Sequence, residues 1–422
     1  MKHTERSLEN FDVAGEPLPI EIIRAITKLK IACARANASL GALTQEQADA
    51  IIAACDEILT GKHDEKFAID VFQAGSGTSS HMNVNEMIAE LANVHPNDHV
   101  NMGQSTNNVM PSAIKIAANE LAAEAVKSLQ ELAVALRKNE GEFSSIRTSG
   151  RTHLQDAVPI TLGQKFGAYA TAIEQSAERL ESSNPRALGI GGNAIGTGVN
   201  TKKEFRSTIV RELNKRLTTD YVVAKDGIHV TQFLTDIAAL SAAVKLASMD
   251  MLKISNDLRL LASGPHTGFG ELNLPEVEPG SSIMPGKVNP TICEAACMAC
   301  MQIQGLDHAV TLACSAGQLE LNTHMPLIGS NLVRELQILA RCATMLSEKC
   351  IAGITANEET CKKHFETSAG LATLLNPRLG YDAVAELVKE SLRTGKSFRE
   401  LVVEKQLMPA EEFDELLTSP LE

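Results

Sequence analysis

Aromatic residues are scarce in this chain, with no Trp, three Tyr and eleven Phe among 422 residues. Base-stacking platforms and membrane-interface belts are built from aromatic rings, so neither is expected. Positive charge is also in deficit: 39 Lys and Arg stand against 52 Asp and Glu, a net charge of −13. That is the opposite of the basic footprint that a phosphate backbone requires, which argues against nucleic acid as a partner. No run of about 18 uncharged apolar residues occurs, the length a membrane-spanning helix needs, so no membrane association is expected. The opening MKHTERSLENF has neither an apolar stretch nor an Arg-rich, acid-free amphipathic one, and no leader is expected. Nine cysteines, an odd number, show no framework spacing and read as reduced thiols of a cytoplasmic protein.

What remains is a globular composition, 44% hydrophobic and 22% charged, with a core that must be mainly Ala and Leu. The length exceeds the roughly 250–300 residues at which one core stops growing, so two or three domains are expected. Apolar residues recur at helical spacing and strand-like alternation is nearly absent, which predicts an all-α fold. Pro19–Ala38, Gln45–Thr60, Pro111–Phe143 and Ile160–Glu181 read as helices, and Tyr221-Val-Val is the one obvious strand candidate. The longest pattern, Ile228–Leu261, would run roughly 50 Å as one helix. It is apolar on more than one face, as helices buried among several others are. Three polar, glycine-bearing breaks, Ala74–Asn83, Ala187–Asn200 and Pro265–Pro290, mark loops on this scaffold, where sites tend to lie. A charged tail after GITANEET, with turn signals at Asn376-Pro377 and Met408-Pro409, reads as a small C-terminal helical domain.

The most informative stretch is GSSIMPGKVNP, Gly280–Pro290. Two hydroxyls, the cation of Lys287 and the amide of Asn289 stand just before a helix expected to open near Thr291, a setting suited to a carboxylate or oxyanion. Its bland alternative is a Ser/Gly/Pro linker with a solvated lysine. GRTHLQD, Gly150–Asp156, supplies His153 ahead of a helix opened by Pro159. An imidazole suits proton transfer at neutral pH, although a lone histidine is more often structural. Ser76-Gly-Thr78 and Gln104-Ser-Thr-Asn107 are hydroxyl and amide clusters able to hold a polar ligand, or else helix caps and turns. Cys293, Cys297 and Cys300 have the spacing of iron–sulfur ligands but sit in an Ala/Met-rich helical run, so they read as small core residues. Gly189–Gly196 has the glycines of a dinucleotide loop without a preceding strand or a βαβ unit, and NAD is not expected.

Read together, GSSIMPGKVNP, GRTHLQDA, GSGTSSHMNVNE, HPNDHVNMGQSTNN and GIGGNAIGTGVNT closely resemble the aspartase/fumarase superfamily, and within it the class II fumarate hydratases. The resemblance runs from RSLENF to GKSFRELVVEKQLMP, and GSSxMPxKxN is a highly specific signature of the superfamily. It implies an all-α, three-domain fold: an N-terminal helical domain at 1–103 without the family's N-terminal arm, a central long-helix bundle at 104–357 and a small helical domain at 358–422. It implies a homotetramer with a twenty-helix core and active sites shared among three subunits. The implied activity is reversible anti addition of water to fumarate, giving (S)-malate through an aci-carboxylate, with no metal or cofactor.

Carried over position by position, Ser281 matches the base that takes the carbon-bound proton. Lys287 and Asn289 match the holders of the charged carboxylate, and Thr78, Ser105, Thr106, Asn107 and Thr152 match substrate ligands. Ser76 and His153 match positions around the active-site water, and Glu294 the carboxylate paired with His153. His95, Asn97 and Asp98 match a second carboxylate site at the entrance, although Ala92 stands where a basic residue usually helps form it. The alternative within the same fold is aspartate ammonia-lyase, whose elimination differs only in the leaving group. Ser76, where aspartases have Ala, with Gly286 and Gly191-Gly192, leans toward the hydratase; Thr106 and the tail lean the other way. His81, Asn108 and Asn193 depart from the usual Asn, Asp and Thr.

Overall fold

The structure, a computed structural model, describes residues 2–278, 280, 283–284 and 286–418. The fold is all-α in class: long helices dominate, joined among the described residues by three small two-stranded sheets. No helix among the described residues is long and apolar enough to cross a membrane.

The chain forms two compact units. The first comprises Met1–Ser128, Ser176–Met249 and Ala299–Arg341; the second comprises Leu129–Gln175, Asp250–Met298 and Cys342–Glu422. In the first, the helix Ile20–Ser39 follows Pro19 and buries Ile22, Ile23, Ile26, Leu29 and Ala36. The helix Gln45–Leu59 opens with a reciprocal cap: Thr44 Oγ1 accepts from Gln47 N, and Gln47 Oε1 accepts from Thr44 N. In the second unit, Phe365, Leu371, Leu375, Phe398, Leu401 and Phe413 belong to one buried cluster drawn from the C-terminal helices.

Several expectations are corrected. The helix expected from Pro111 starts at Thr106 and runs to Glu142, with Pro111 inside its second turn. Ser105 caps it, its Oγ accepting from Asn107 N at 3.2 Å, and the proline, which donates no hydrogen bond of its own, is accommodated close to the helix start. The helix expected from Ile160 starts at Leu162, because Gln155–Thr161 is a strand antiparallel to Arg147–Thr152. Pro159 therefore opens no helix. It pairs with Ser149 beside a bulge, where Gly150 lies so close to Val158 that an added Cβ would meet the Val158 oxygen at 2.6 Å. The long pattern Ile228–Leu261 is two helices, Gly227–Gln232 and Thr235–Leu261, separated by the extended backbone of Phe233 (φ −104°, ψ 124°). The longer piece spans about 40 Å. Val222–Val223 is the expected strand, but it pairs in parallel with Ala187–Leu188, so a short strand does precede Gly189. Asn376-Pro377 lies inside the helix Ala372–Leu379 rather than at a turn, whereas Met408-Pro409 does separate two helices.

Candidate active site

In the first unit, two helix N-termini are tied together. Ser76 sits at φ 65° in the turn before the helix Thr78–Ala92, and Gly77 beside it stands at φ 84°, a left-handed conformation that favours glycine. The buried Ser76 Oγ lies 3.1 Å from Asn107 Oδ1 and donates to it. Asn107 stands in the first turn of the helix Thr106–Glu142, and its Nδ2 donates to Ala194 O at 2.9 Å, which draws in the Gly189–Asn200 loop. Helix N-termini favour anions, so two of them linked by neutral donors suit a carboxylate. Ser105, Thr106 and Asn107 are all half-buried here, and Thr78 is exposed with its hydroxyl 3.3 Å from Gly75 O. The glycines of the neighbouring loop serve close chain packing: a Cβ on Gly196 would meet Gly227 O at 2.1 Å.

Behind Thr106 lies a buried polar chain. His81 Nδ1 is 2.8 Å from Thr106 Oγ1, and Lys30 Nζ is 2.8 Å from His81 Nε2, 3.0 Å from Asn101 Oδ1 and 2.8 Å from Gln104 Oε1. Sequence reasoning noted His81 only as a departure and missed Lys30, because a lysine on an apolar helix face normally reaches solvent. His95 and Asp98 stand on the short turn Pro96–Val100, 3.1 Å apart and both exposed, with Asn97 exposed between them.

In the second unit, Thr152 and His153 are exposed at the tip of the hairpin. His153 and Leu154 form its two-residue turn at φ 56° and 58°, both positive, as the tight hairpin geometry demands. Positive φ is uncommon for residues other than glycine, so the hairpin needs support. Glu271 gives it. Fully buried, its carboxylate accepts from Arg151 Nη2 at 2.7 Å and Thr148 Oγ1 at 2.9 Å, and lies 2.8 Å from His364 Nδ1 and 3.6 Å from Lys165 Nζ. Arg151 also stacks on Phe269, 4.3 Å from the ring centre. Burial raises the Glu271 carboxyl, but Arg151, Lys165 and His364 outweigh it and hold the group below the usual carboxylate range.

Glu271→Ala removes the buried carboxylate that pairs the half-buried cations of Arg151 and Lys165 and should cost about 3 kcal/mol, read as a lower urea midpoint. Because the folded-state value is depressed, the wild-type advantage is complete above the ordinary carboxylate range. It should shrink as pH falls through the lowered value. An unchanged midpoint at neutral pH would show that the cluster does not hold the hairpin.

The signature loop is partly described. Ser281, the expected base, lies outside the described residues. Gly280 approaches Lys287 so closely that an added Cβ would sit 1.5 Å from Lys287 O. Gly286 is at φ 80°, Lys287 N donates to Met284 O at 3.2 Å, and the Lys287 side chain is exposed. Asn289 is half-buried, and the helix Thr291–Ser315 follows where expected, its first turn carrying Glu294. The structure does not bring His153 and Glu294 together: among the described residues His153 has no hydrogen-bond partner, and Glu294 lies 3.9 Å from Arg259. Cys293, Cys297 and Cys300 are buried in that helix, Cys293 with its sulfur 3.6 Å from that of Cys350. Arg151, Lys165, Glu271 and His364 were missed, since the sequence spreads them over more than two hundred positions.

Residues 1–305 match the family described as Lyase, and residues 371–420 that described as Fumarase C C-terminus. A class II fumarate hydratase of Corynebacterium efficiens is 45% identical over 98% of this chain and 89% of its own length. An aspartate ammonia-lyase of Helicobacter pylori is 40% identical over 98% of this chain and 92% of its own length. The crystal structure of a class II fumarase from Schistosoma mansoni is similar with a TM-score of 0.95 and 35% identity, covering 99% of this chain and 94% of that one.

Proposed function

The chain belongs to the class II fumarate hydratases of the aspartase/fumarase superfamily of lyases, and on that premise we propose that it interconverts fumarate and (S)-malate by anti addition of water. The substrate is a small dicarboxylate. In the direction of dehydration, a Ser281 alkoxide takes the proton from the carbon next to one carboxylate. The electron pair moves into that carboxylate as an aci-carboxylate, held by Lys287 and Asn289. The hydroxyl then leaves from the adjacent carbon with a proton from His153, which Glu294 of a neighbouring subunit orients, since the two do not meet within one chain, and departs as water. Ser76, Thr78, Ser105, Thr106, Asn107 and Thr152 bind substrate and water, and His95, Asn97 and Asp98 form a second carboxylate site. The order of events is physically coherent, because preorganised donors stabilise the charge where it develops.

The observation that carries hydration rather than deamination is Ser76. Its hydroxyl gives its proton to Asn107, 3.1 Å away, and keeps its lone pairs for a water molecule. The alanine of aspartases has no such acceptor. Aspartate deamination is the second reading, favoured by the 40% identity to an aspartate ammonia-lyase.

The working species is read as a homotetramer with shared sites. Supporting this, Leu246, Met249, Met298, Met301 and Leu312 of the long central helices are exposed, apolar surface that a single chain leaves uncovered. A cytoplasmic location is supported by nine cysteines that are all free thiols. The division at 1–103, 104–357 and 358–422 is retained, with the C-terminal cluster in its favour.

One experiment tests these together. Chelator-treated protein is fractionated by size with light scattering, and fumarate formation is followed by absorbance with malate or aspartate as substrate. Activity should coincide with a species of four chains and be faster with malate. Faster turnover of aspartate, loss of activity after chelation, or an active single chain would each contradict the corresponding part of the reading.

A further inference from the structure

Lys30 and His81 have no part in the chemistry above, yet both are completely buried. An ammonium has three donors and no acceptor. Lys30 meets three acceptors, Asn101 Oδ1, Gln104 Oε1 and His81 Nε2, at 3.0, 2.8 and 2.8 Å. The orientation of the Gln104 amide is fixed independently, since its Nε2 donates to Val100 O at 3.0 Å. With Nε2 accepting, the His81 ring proton stands on Nδ1 and is donated to Thr106 Oγ1 at 2.8 Å. The Thr106 oxygen is thereby engaged as an acceptor, and its own proton is left for a group outside this chain of bonds. Thr106 opens the helix Thr106–Glu142, half-buried next to Ser105 and Asn107.

We propose that Lys30 and His81 are positioning residues for the substrate: the Lys30 ammonium fixes the His81 tautomer, and that tautomer turns the Thr106 hydroxyl outward to donate to a carboxylate at the helix N-terminus. The inference rests on Thr106 being a substrate ligand, as proposed above. Hydrogen bonds in series polarise one another, so the outward hydroxyl is a stronger donor than an isolated one.

The same geometry reverses when Lys30 loses its proton. A neutral amine keeps two donors for Asn101 and Gln104 and turns its lone pair to His81. The imidazole proton then moves to Nε2, Nδ1 becomes an acceptor, and the Thr106 hydroxyl must donate inward. Burial brings the Lys30 ammonium down from 10.5 to about 7, opposed by Cys33 and Cys55. The titratable groups facing it are Cys33 on its own helix, Cys55 on the helix Gln45–Leu59 and His81 on the helix Thr78–Ala92. Burial pushes the Cys33 thiol up to about 12 and the Cys55 thiol higher still, so both stay neutral. Burial, and then the charge of Lys30, hold His81 well below its ordinary value, so its ring stays neutral as well. Among the groups near neutrality, Lys30 is thus the one whose proton sets the chain, and dicarboxylate binding weakens as pH rises through about 7.

The test is the dissociation constant of succinate, an unreactive dicarboxylate, measured by calorimetry from pH 6 to pH 8.5, with KM and kcat for malate alongside. Losing a charge-assisted hydrogen bond to the ligand should weaken wild-type binding by about tenfold over this range, and raise KM far more than it changes kcat. In His81→Asn, whose amide cannot shift a proton between two ring positions, the weakening should be reduced to what other groups contribute. Thr106→Val, which removes the hydroxyl itself, should give the same flattened profile and serves if His81→Asn does not fold. Identical pH profiles in wild type and either folded variant would overturn the inference. Absence of turnover in a protein that still binds succinate would count against the proposed function instead.

Discussion

Ser281→Ala should abolish turnover, by about 10²-fold or more in kcat, while succinate binds nearly as it does to the wild type. A serine becomes a base only where its alkoxide is stabilised, and alanine has no atom to take the proton from carbon. On the proposed roles, Lys287 and Asn289 would hold the carboxylate in the ground state as well as in the aci-carboxylate, so their contribution to inhibitor binding should survive. Lys287→Ala reverses the pattern and loses affinity and turnover together. If Ser281→Ala kept more than roughly a tenth of wild-type kcat, the base would have to be sought on another segment.

Gly280→Ala should be as damaging but in a different way. The added methyl would stand 1.5 Å from Lys287 O and 2.8 Å from Lys287 C, and neither is the end of a flexible side chain. The backbone on one side of the loop must move, carrying Lys287 with it. A shift of about 1 Å in a positioned group can cost 10²-fold. Inhibitor affinity and kcat should therefore both fall, whereas Ser281→Ala spares the former. Global stability should change little, because Lys287 and Val288 are exposed. Wild-type succinate binding in Gly280→Ala would show that the close approach of Gly280 and Lys287 has no role in the site.

How much of this is legible in the sequence depends on the range of the cause. The helix Gln45–Leu59 can be read because Thr44 and Gln47 announce its start within four residues. The helix after Pro290 can be read for the same local reason. The hairpin Arg147–Thr161 cannot: RTSGRT and QDAVPIT lack apolar alternation, Pro159 mimics a helix start, and the turn uses His153 and Leu154 rather than glycine. What stabilises it is Glu271, more than a hundred residues away. The break at Phe233 is hidden because apolar residues continue through it, with Phe233 stacking on His229 at 5.2 Å. The candidate site divides likewise. Motif positions such as Ser76, Asn107 and Lys287 are visible as residues, and the resemblance supplies their roles. The Lys30–His81–Thr106 chain is not visible, since its members come from three segments and a buried lysine leaves no periodic signal.

Hydration of fumarate in heavy water, with the malate product read by proton NMR, tests the central claim most directly. Anti addition by one positioned base and one positioned water predicts a single monodeuterated diastereomer of (S)-malate, with deuterium and hydroxyl on opposite faces. A mixture of diastereomers, syn addition, or no malate while ammonia and fumarate give aspartate would contradict it.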